Sequence, residues 1–553
     1  MPVTESFCLR NRKWILLLLV LLSYPLFFYK LGDRDIWSPD EDEYVQVNRE
    51  MVLDGHWIYP TANGQPYNIK PPLFNWLGSA FAKLNGEVTE HTSRLPSALA
   101  ASAGLIILYL MGSKLFGHRA GLLSALIIGT TPIYIEFGRW IQINMISTVL
   151  LTATLGLFYW GYGDERKRAP AYLLMYVPVG LGTLNMGLVN VVMPMIVIGL
   201  YLIAVKDVKH ILKLKIGWGI LIYLAIVAPW YAAVSLKGGY AHNLIVLTNF
   251  TRYLKEWAHV RPFYYYLGTT PPYFLPWFFF LPGAFYLCFS QQTKMERKQL
   301  LFPFLWVVGL FVFFSISQTK RSEYLLPVFP AMALLVGYAI DRSIRSWDES
   351  LLWRRLISWP LHIATGLLLA AGIGIAVYGA TLSMDWLLII LPLSSFLILG
   401  ALGVYYLFQR RGKPMMSILA MVLTLVASVS YGVGPVVSQK NENKSAKPFC
   451  LKVRRYLPPG KDLKMFDFNR PIYAVYTERF MDVAWDVATL VKWFKSKKPV
   501  YVVAKEKSYL EIKDNFPLPI YVVIREWIDH RYVLLLSNRP ASEVPPVSGD
   551  EPP

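Results

Sequence analysis

Residues 385–408 read DWLLIILPLSSFLILGALGVYYLF. Asp385 is the one charged residue in this stretch. An apolar run of about 20 residues is long enough to cross the hydrocarbon core of a bilayer as a helix. The stretch therefore predicts a transmembrane helix, and the fold of the whole chain has to accommodate a membrane.

The same pattern recurs along the chain, and we identify thirteen apolar runs. The first, residues 14–29, follows Arg10, Arg12 and Lys13. It has no small-x-small cleavage site after it, so we expect an uncleaved anchor and not a removed signal peptide. The other runs cover about 94–113, 119–136, 140–162, 171–184, 187–205, 215–236, 272–290, 300–317, 324–341, 357–380, 385–408 and 415–437.

Composition agrees with this class. Of 553 residues, 55% are hydrophobic and 16% are charged, which nearly excludes a soluble enzyme and excludes disordered, collagenous and disulfide-rich proteins. The net charge of +19 indicates orientation signals and contact with anionic lipid or phosphate. No basic module interleaved with aromatic residues is present, so nucleic acid is not an expected partner. The three cysteines lack metal-site or framework spacing.

The distribution of Lys and Arg predicts the orientation. With a cytoplasmic N-terminus, the inside segments hold 22 of these residues, and the four short outside loops hold only Arg139, Lys320 and Arg321. An odd number of spans places the C-terminus on the far side of the membrane. The expected domains are a membrane domain, 1–437, with outside loops 31–93 and 237–271, and an α/β domain on the far side, 438–553.

The tail alternates between strand and helix patterns. Short β-rich runs at 463–468, 499–503, 519–523 and 532–536 predict strands, and 487–497 and 508–515 predict helices. The last dozen residues, rich in Pro, Ser, Glu and Asp, are expected to be disordered.

The first outside loop carries an acidic segment, Asp-Glu-Asp-Glu-Tyr at 40–44, after Ser38 and Pro39. Proline and carboxylates suit the start of a helix, where the dipole favours negative charge. On charge pattern alone, a solvated first turn is the stronger interpretation. The functional alternative is a catalytic carboxylate at the membrane interface, acting as a base or orienting an acceptor.

Several cations lie on the same predicted side. Lys70 precedes two prolines on a rigid, extended backbone and could pair with a phosphate, or it could be an interfacial anchor. Lys320 and Arg321 break the positive-inside rule, which phosphate binding would explain, as would pairing with Glu323.

Two further groups of polar residues complete the candidate site. In the middle loop, His259 lies between Arg252 and Arg261 near an aromatic cluster, which makes an anion site credible, although a lone His is more often structural. Arg139 and Asn144 lie near the outside ends of spans, where interhelical hydrogen bonding is at least as good an explanation. Carboxylates, cations, aromatics and a His together suit a lipid phosphate with a polar, sugar-like head group.

In their order along the chain, these segments resemble the GT-C glycosyltransferases, specifically the bacterial aminoarabinose transferase and protein O-mannosyltransferase-like superfamily. The resemblance covers nearly the whole chain. It rests on Asp-Glu-x-x-Tyr at 40–44, Lys-Pro-Pro-Leu at 70–73, His259 with Pro-Phe-Tyr-Tyr-Tyr at 262–266, Phe-Leu-Pro-Trp at 274–277, and Lys-Arg-x-x-Tyr-Leu-Leu-Pro-x-x-Pro-Ala at 320–331.

The resemblance implies a GT-C membrane fold and transfer of a sugar from a polyprenyl-phosphate donor on the periplasmic side. It implies catalytic roles for Asp40 and Glu41. The acceptor would be a lipid A-like glycolipid or another envelope acceptor, with a protein hydroxyl as the alternative. The expected substrate-binding residues are Tyr44, Lys70, Arg139, Asn144, Arg252, His259, Arg261, Lys320, Arg321 and Tyr324.

The chain departs from the family pattern at four places. Relatives often have Glu before Lys-Pro-Pro, where this chain has Ile69. That Glu and the loop His can together bind a metal, so Ile69 weighs against a divalent metal and His259 is left as the candidate ligand. Asn144 replaces a frequent Asp, Glu43 replaces an Arg, and Met-Gly-Leu at 186–188 replaces Lys-Gly-Pro. A divergent member is therefore expected. A non-catalytic lipid-binding protein and a transporter are weaker alternatives.

Overall fold

The structure is a computed structural model that describes residues 10–37, 40–236, 260–290, 294–457 and 463–540. The chain forms two compact units. The first, called here the helical unit, comprises Met1–Leu31, Asn68–Phe74 and Arg94–Pro435. The second, called the mixed unit, comprises Gly32–Tyr67, Asn75–Ser93 and Val436–Pro553. The predicted boundary at residue 437 stays a prediction, and the predicted disordered end, 541–553, lies outside the described residues.

The chain is a multi-pass membrane protein. Within the described ranges, eight helices are long and apolar enough to cross a bilayer. Two helix pairs, bent by 67° and 110°, raise this number to ten if each pair is one span. The three other predicted runs fall on shorter helical segments, around 12–28, 176–186 and 189–204. The predicted number of thirteen and the predicted orientation therefore stay predictions.

The helices outside the C-terminal region are numbered in chain order. Their bounds are α1 Arg12–Ser23, α2 Glu41–Leu53, α3 Leu73–Asn85, α4 Glu90–Phe116, α5 His118–Gly129, α6 Pro132–Gly138, α7 Ile143–Gly163, α8 Glu165–Leu174, α9 Tyr176–Met186, α10 Val189–Ala204, α11 Ile216–Ser235, α12 Tyr265–Tyr273, α13 Leu281–Phe289, α14 Lys294–Ile316, α15 Phe329–Arg345, α16 Leu351–Leu382, α17 Met384–Tyr405 and α18 Pro414–Tyr431.

Close contacts between small residues and buried hydrogen bonds stabilise the helical unit. A Cβ atom on Gly112 of α4 would lie 2.8 Å from the Cα of Gly121 on α5, so the two backbones touch where no side chain intervenes. The indole of Trp277 donates to the Thr130 hydroxyl at 3.0 Å. The indole of Trp306 donates to the Pro327 carbonyl at 2.9 Å. Such bonds satisfy polar groups that the surrounding apolar core cannot solvate.

The mixed unit is built on a five-stranded sheet. Its strands are β3 Leu463–Phe466, β4 Met481–Ala484, β5 Tyr501–Lys505, β6 Tyr521–Ile528 and β7 Arg531–Ser537, after a short hairpin β1 Thr61–Ala62 and β2 Gln65–Pro66. The order is β4-β3-β5-β7-β6. β3 pairs in parallel with β4 and β5, and β7 pairs antiparallel with β5 and β6.

Five helices accompany the sheet: α19 Val437–Lys444, α20 Lys447–Arg454, α21 Pro471–Thr477, α22 Val487–Phe494 and α23 Glu506–Ile512. Leu490 and Phe494 of α22 join Val502 and Leu536 in a buried cluster. Asp486 caps α22 by accepting from the Thr489 amide at 2.8 Å, and this bond lowers the pKa of its carboxyl group. The predicted α/β character is thus confirmed, although the sequence patterns missed β4, α19, α20 and α21.

A buried ion pair gives a first prediction. Asp341 is 2% exposed and pairs with Arg119, and with Arg345 at 2.8 Å. We expect Asp341→Asn to destabilise the protein by about 3 kcal/mol, because the Arg119 guanidinium, whose side chain is 12% exposed, loses its counter-charge. Thermal unfolding in detergent measures the effect. Asp348→Asn, which alters an exposed pair with Arg354, is the matched control. Equal melting temperatures for the two variants would contradict the prediction.

Candidate functional site

The acidic segment of the first loop begins a helix in the mixed unit. α2 starts at Glu41, and Asp40 precedes it with φ +85° and ψ −47°. Non-glycine residues seldom adopt positive φ, and those that do concentrate at functional sites, where the surrounding structure holds them. The unusual backbone therefore occurs at the residue that the sequence singles out as the catalytic carboxylate.

Glu41 is held by its neighbours. It is 1% exposed and accepts from the Arg34 guanidinium at 2.6 Å and from the Trp37 amide at 3.3 Å. The Arg34 guanidinium also lies 4.9 Å from the centre of the Trp37 ring. Both carboxylate oxygens of Glu41 are thus engaged in ordering the segment that leads to Asp40. Tyr44 is 6% exposed, and its carbonyl accepts from the Asn75 amide group at 3.1 Å.

The segment at 33–37 is bound by Asn441 of α19. The Asn441 side-chain oxygen accepts from the Asp35 amide and from the Trp37 indole, each at 3.2 Å. Its side-chain nitrogen donates to the Asp33 carbonyl at 2.8 Å. The Asn441 side chain therefore binds two backbone groups and one indole in the segment just before Asp40.

Tyr476 of α21 makes a second connection to this segment. Its hydroxyl accepts from the Ile36 amide at 2.7 Å and donates to Glu90 at 2.9 Å. Lys447 donates to Glu90 at 2.9 Å and lies 3.6 Å from Asp35. Burial lowers the pKa of Lys447, but the two carboxylates outweigh burial and raise it. The ammonium consequently stays charged, and the group remains intact across the neutral pH range.

The predicted cations at 320 and 321 are largely engaged within the helical unit. The Lys320 ammonium is 3% exposed and donates to the carbonyls of Arg261, at 3.0 Å, and Ser317. Burial lowers its pKa. Arg321 pairs with Glu323, which is the alternative that the sequence left open. Lys320 and Arg261 are thus brought together.

The remaining predicted residues of the helical unit lie in different surroundings. Arg139 donates to the carbonyls of Leu26 at 3.2 Å and Tyr29 at 2.8 Å, and so binds the end of the first apolar run. Asn144 is 6% exposed and donates to the Gln142 side chain at 2.7 Å. Tyr324 and Lys70 are half-buried. Arg252 and His259 lie outside the described residues.

Among the residues that the structure describes, one cluster could hold a metal ion, and it does not include the predicted ligand His259, which lies outside them. Glu50, Asp54 and His56 place their ligand atoms within 4.8 Å of one another. Glu50 already accepts from Gln46 at 2.7 Å and from Thr61 at 2.5 Å. These donors occupy lone pairs that a metal would need, so the donor set fits a hydrogen-bonded carboxylate better than an ion. No metal or other cofactor is established for the protein.

Comparison with solved structures decides the fold. ArnT from Cupriavidus metallidurans, in a crystal structure bound to undecaprenyl phosphate, aligns with a TM-score of 0.81 over 97% of this chain and 99% of its own, at 23% identity. The chain has the GT-C glycosyltransferase fold. The archaeal oligosaccharyltransferase AglB from Archaeoglobus fulgidus aligns more distantly, with a TM-score of 0.53 and 13% identity over 91% of this chain and 70% of that one.

Sequence comparison supports the same superfamily. The family model for dolichyl-phosphate-mannose-protein mannosyltransferase matches residues 69–232. An undecaprenyl phosphate-alpha-4-amino-4-deoxy-L-arabinose arabinosyl transferase from Aeromonas salmonicida is 32% identical over 336 residues. The match spans 60% of this chain and 60% of that relative. The predicted GT-C fold class and the resemblance to aminoarabinose transferases are confirmed.

Sequence reasoning missed the residues that hold the acidic segment. Asn441 and Tyr476 lie more than 400 positions from the residues they bind. Neither belongs to a motif, and a single sequence carries no signal that pairs them with residues 33–37. Arg34 and Glu41, seven positions apart, were within reach, because opposite charges flanking a helix start often pair.

Asn441 gives a second prediction. We expect Asn441→Ala to increase backbone hydrogen exchange across residues 32–44, because three hydrogen bonds to that segment are lost. Exchange mass spectrometry on the full-length protein measures this. Asn443→Ala is the matched control, since Asn443 contributes its backbone carbonyl, which the substitution retains, to a bond with Asp529. Equal exchange in both variants would contradict the prediction.

Proposed function

We propose that the protein is an integral-membrane glycosyltransferase that moves a sugar from a polyprenyl-phosphate donor to a lipid A-like glycolipid or another envelope acceptor at the periplasmic face. The observation that carries the proposal is Asp40, which lies at positive φ at the start of a buried acidic helix in a chain with the GT-C fold. The Aeromonas relative is named as an undecaprenyl-phosphate-dependent arabinosyl transferase, which supports the class of donor. The inner membrane and the periplasmic position of the mixed unit belong to the same proposal.

The proposed reaction gives specific roles to Asp40 and Lys70. An acceptor oxygen attacks the anomeric carbon, the bond from that carbon to the donor phosphate oxygen breaks, and polyprenyl phosphate leaves with the electron pair. A phosphate acceptor is already ionised near neutral pH, so Asp40 would orient groups and balance charge. A hydroxyl acceptor must lose a proton, and Asp40 would then be the general base. Lys70 would bind phosphate as a point charge.

The geometry refines the roles of other residues in the proposal. Glu41 remains a proposed catalytic residue, and its carboxylate is held by Arg34 and the Trp37 amide. Lys320 remains a proposed phosphate-binding residue, and its ammonium is positioned by the carbonyls of Arg261 and Ser317. Tyr44, Arg139, Asn144, Arg252, His259, Arg261, Arg321 and Tyr324 remain proposed substrate-binding residues.

A protein acceptor is the second candidate. The observation that favours it is the family model, which describes mannosyltransferases that act on proteins and matches residues 69–232. The two candidate functions use the same donor. They differ in whether Asp40 has to accept a proton from the acceptor.

Asp40 gives the third prediction. We expect Asp40→Asn to lower the rate of sugar transfer by about 100-fold or more, whichever acceptor is used, while folding is retained. Transfer is measured in proteoliposomes that contain a polyprenyl-phosphate sugar. Asp33→Asn, an exposed carboxylate of the same loop, is the control. Near-normal turnover by Asp40→Asn would remove Asp40 from the mechanism and with it the main support for this proposal.

Lys70 gives the fourth prediction. We expect Lys70→Ala to weaken binding of polyprenyl phosphate about tenfold at low salt and less at high salt, because a charge contact is screened by ions. Binding is measured across a salt series on purified protein. Lys83→Ala removes an exposed lysine and serves as the control. Equal affinity at every salt concentration would make Lys70 an interfacial anchor only.

A further inference from the structure

The mixed unit contains a pocket that none of the roles above uses. Its volume is about 60 Å³. One wall is formed by Ile36 and Trp37, the segment that Asn441 and Tyr476 bind. The rest of the lining comes from the end of α19, the loop that follows β3, the start of α21 and the β6–β7 turn, and includes Lys444, Phe468, Arg470, Tyr473, Asp529 and Arg531.

The charges around this pocket are unbalanced. Lys444, Arg470 and Arg531 contribute three positive charges, and Asp529 contributes one negative charge. The Arg531 guanidinium lies 4.0 Å from the Asp529 carboxylate, and the Lys444 ammonium lies 5.2 Å from the centre of the Trp37 ring. Lys444 and Arg531 are exposed and Arg470 is half-buried, so water screens part of the repulsion among the three cations. An anion bound between them would lower the repulsion that remains.

The floor of the pocket is apolar and aromatic, with a hydroxyl group. Tyr473 is 5% exposed and Phe468 is 6% exposed. Burial raises the pKa of Tyr473, against the smaller opposing effect of Arg531 and Arg470, so the phenol stays protonated and can donate a hydrogen bond. Aromatic faces with a few convergent polar groups are typical of small-ligand sites. Such faces also suit the apolar side of a sugar ring.

The β6–β7 turn holds the charged groups in position. Asp529 and His530 both have positive φ, 44° and 70°, which gives a tight turn between the strands. The Asp529 amide donates to the Asn443 carbonyl at 3.1 Å, which binds the turn to α19. Arg531 then begins β7 beside Tyr532 and Val533 of the sheet. The cations are therefore carried by fixed elements of the fold.

We propose that this pocket binds the phosphate group of a phosphorylated saccharide. The three cations supply the charge, Arg470 and Arg531 supply planar donors suited to phosphate oxygens, and the aromatic floor contacts the sugar. Its biological role rests on the proposed function, in which it would hold the acceptor. The binding itself does not depend on transfer. The phosphorylated sugar could be the head group of a glycolipid or a soluble sugar phosphate.

Binding is tested on the full-length protein in phosphatidylcholine nanodiscs by calorimetric titration with glucose 1-phosphate, with glucose as the uncharged comparison. We expect glucose 1-phosphate to bind, glucose to bind far more weakly, and Arg470→Gln and Arg531→Gln each to weaken binding about tenfold. Arg455→Gln removes an exposed arginine outside the pocket and is expected to have no effect.

Asp529→Asn distinguishes a binding role from a structural one. Removing this carboxylate makes the pocket more positive, so we expect tighter binding, whereas general disruption would weaken it. Asn also tolerates positive φ, so the turn is retained. Absence of binding, or Arg470→Gln and Arg531→Gln variants that bind like Arg455→Gln, would overturn the proposal, as would weaker binding by Asp529→Asn.

Two further experiments distinguish the source of the phosphorylated sugar, and separate the proposed pocket from the proposed transferase function. The first uses nanodiscs that also contain lipid A. If the natural ligand is a glycolipid head group, lipid A weakens the binding of glucose 1-phosphate; if the ligand is soluble, the binding is unchanged. Both results support the pocket. The Asp40→Asn variant should bind glucose 1-phosphate normally. Normal transfer by Asp40→Asn would therefore overturn the proposed function alone, and absence of binding in an active protein would overturn the pocket alone.

Discussion

The hydrocarbon core of a bilayer offers no water to a backbone amide, and most of this structure follows from that constraint. Each apolar segment must satisfy its own backbone, so it becomes a helix. Charged groups must be paired or lie at the ends of helices, as Asp341 does between Arg119 and Arg345. Contacts between helices then depend on small residues such as Gly112 and on buried donors such as the Trp306 indole.

The same constraint explains what the sequence could predict. Hydropathy is a local property, so residues 385–408 identify a helix without knowledge of any partner, and α17 spans Met384–Tyr405. The number of spans is harder, because helices such as α9 and α10 are short and two pairs are bent. Strand β4 was missed because Met481–Ala484 lacks a strand pattern of its own and gains its identity only by pairing with β3.

The sequence could predict which residues of the candidate site belong to motifs. It could not predict which residues contact them. Asp40 and Lys70 stand in recognisable patterns, but the partners that set their surroundings lie far away in sequence. Arg139 is a predicted substrate-binding residue, and its donation to the carbonyls of Leu26 and Tyr29 is a contact that no local pattern indicates. Asn441, which belongs to no motif, binds three points of the acidic loop. Hydrogen bonds between residues so distant in sequence arise from tertiary structure, which local sequence patterns do not encode.

The central claim is that the protein consumes a polyprenyl-phosphate sugar, and the lipid pool of the host tests it most directly. Extracted lipids from cells with and without the gene would be compared by mass spectrometry. The account predicts that the polyprenyl-phosphate sugar accumulates when the gene is removed, together with loss of one sugar mass from a glycolipid or, for a protein acceptor, from a protein. Unchanged donor and acceptor pools, with no donor binding by the purified protein, would contradict it.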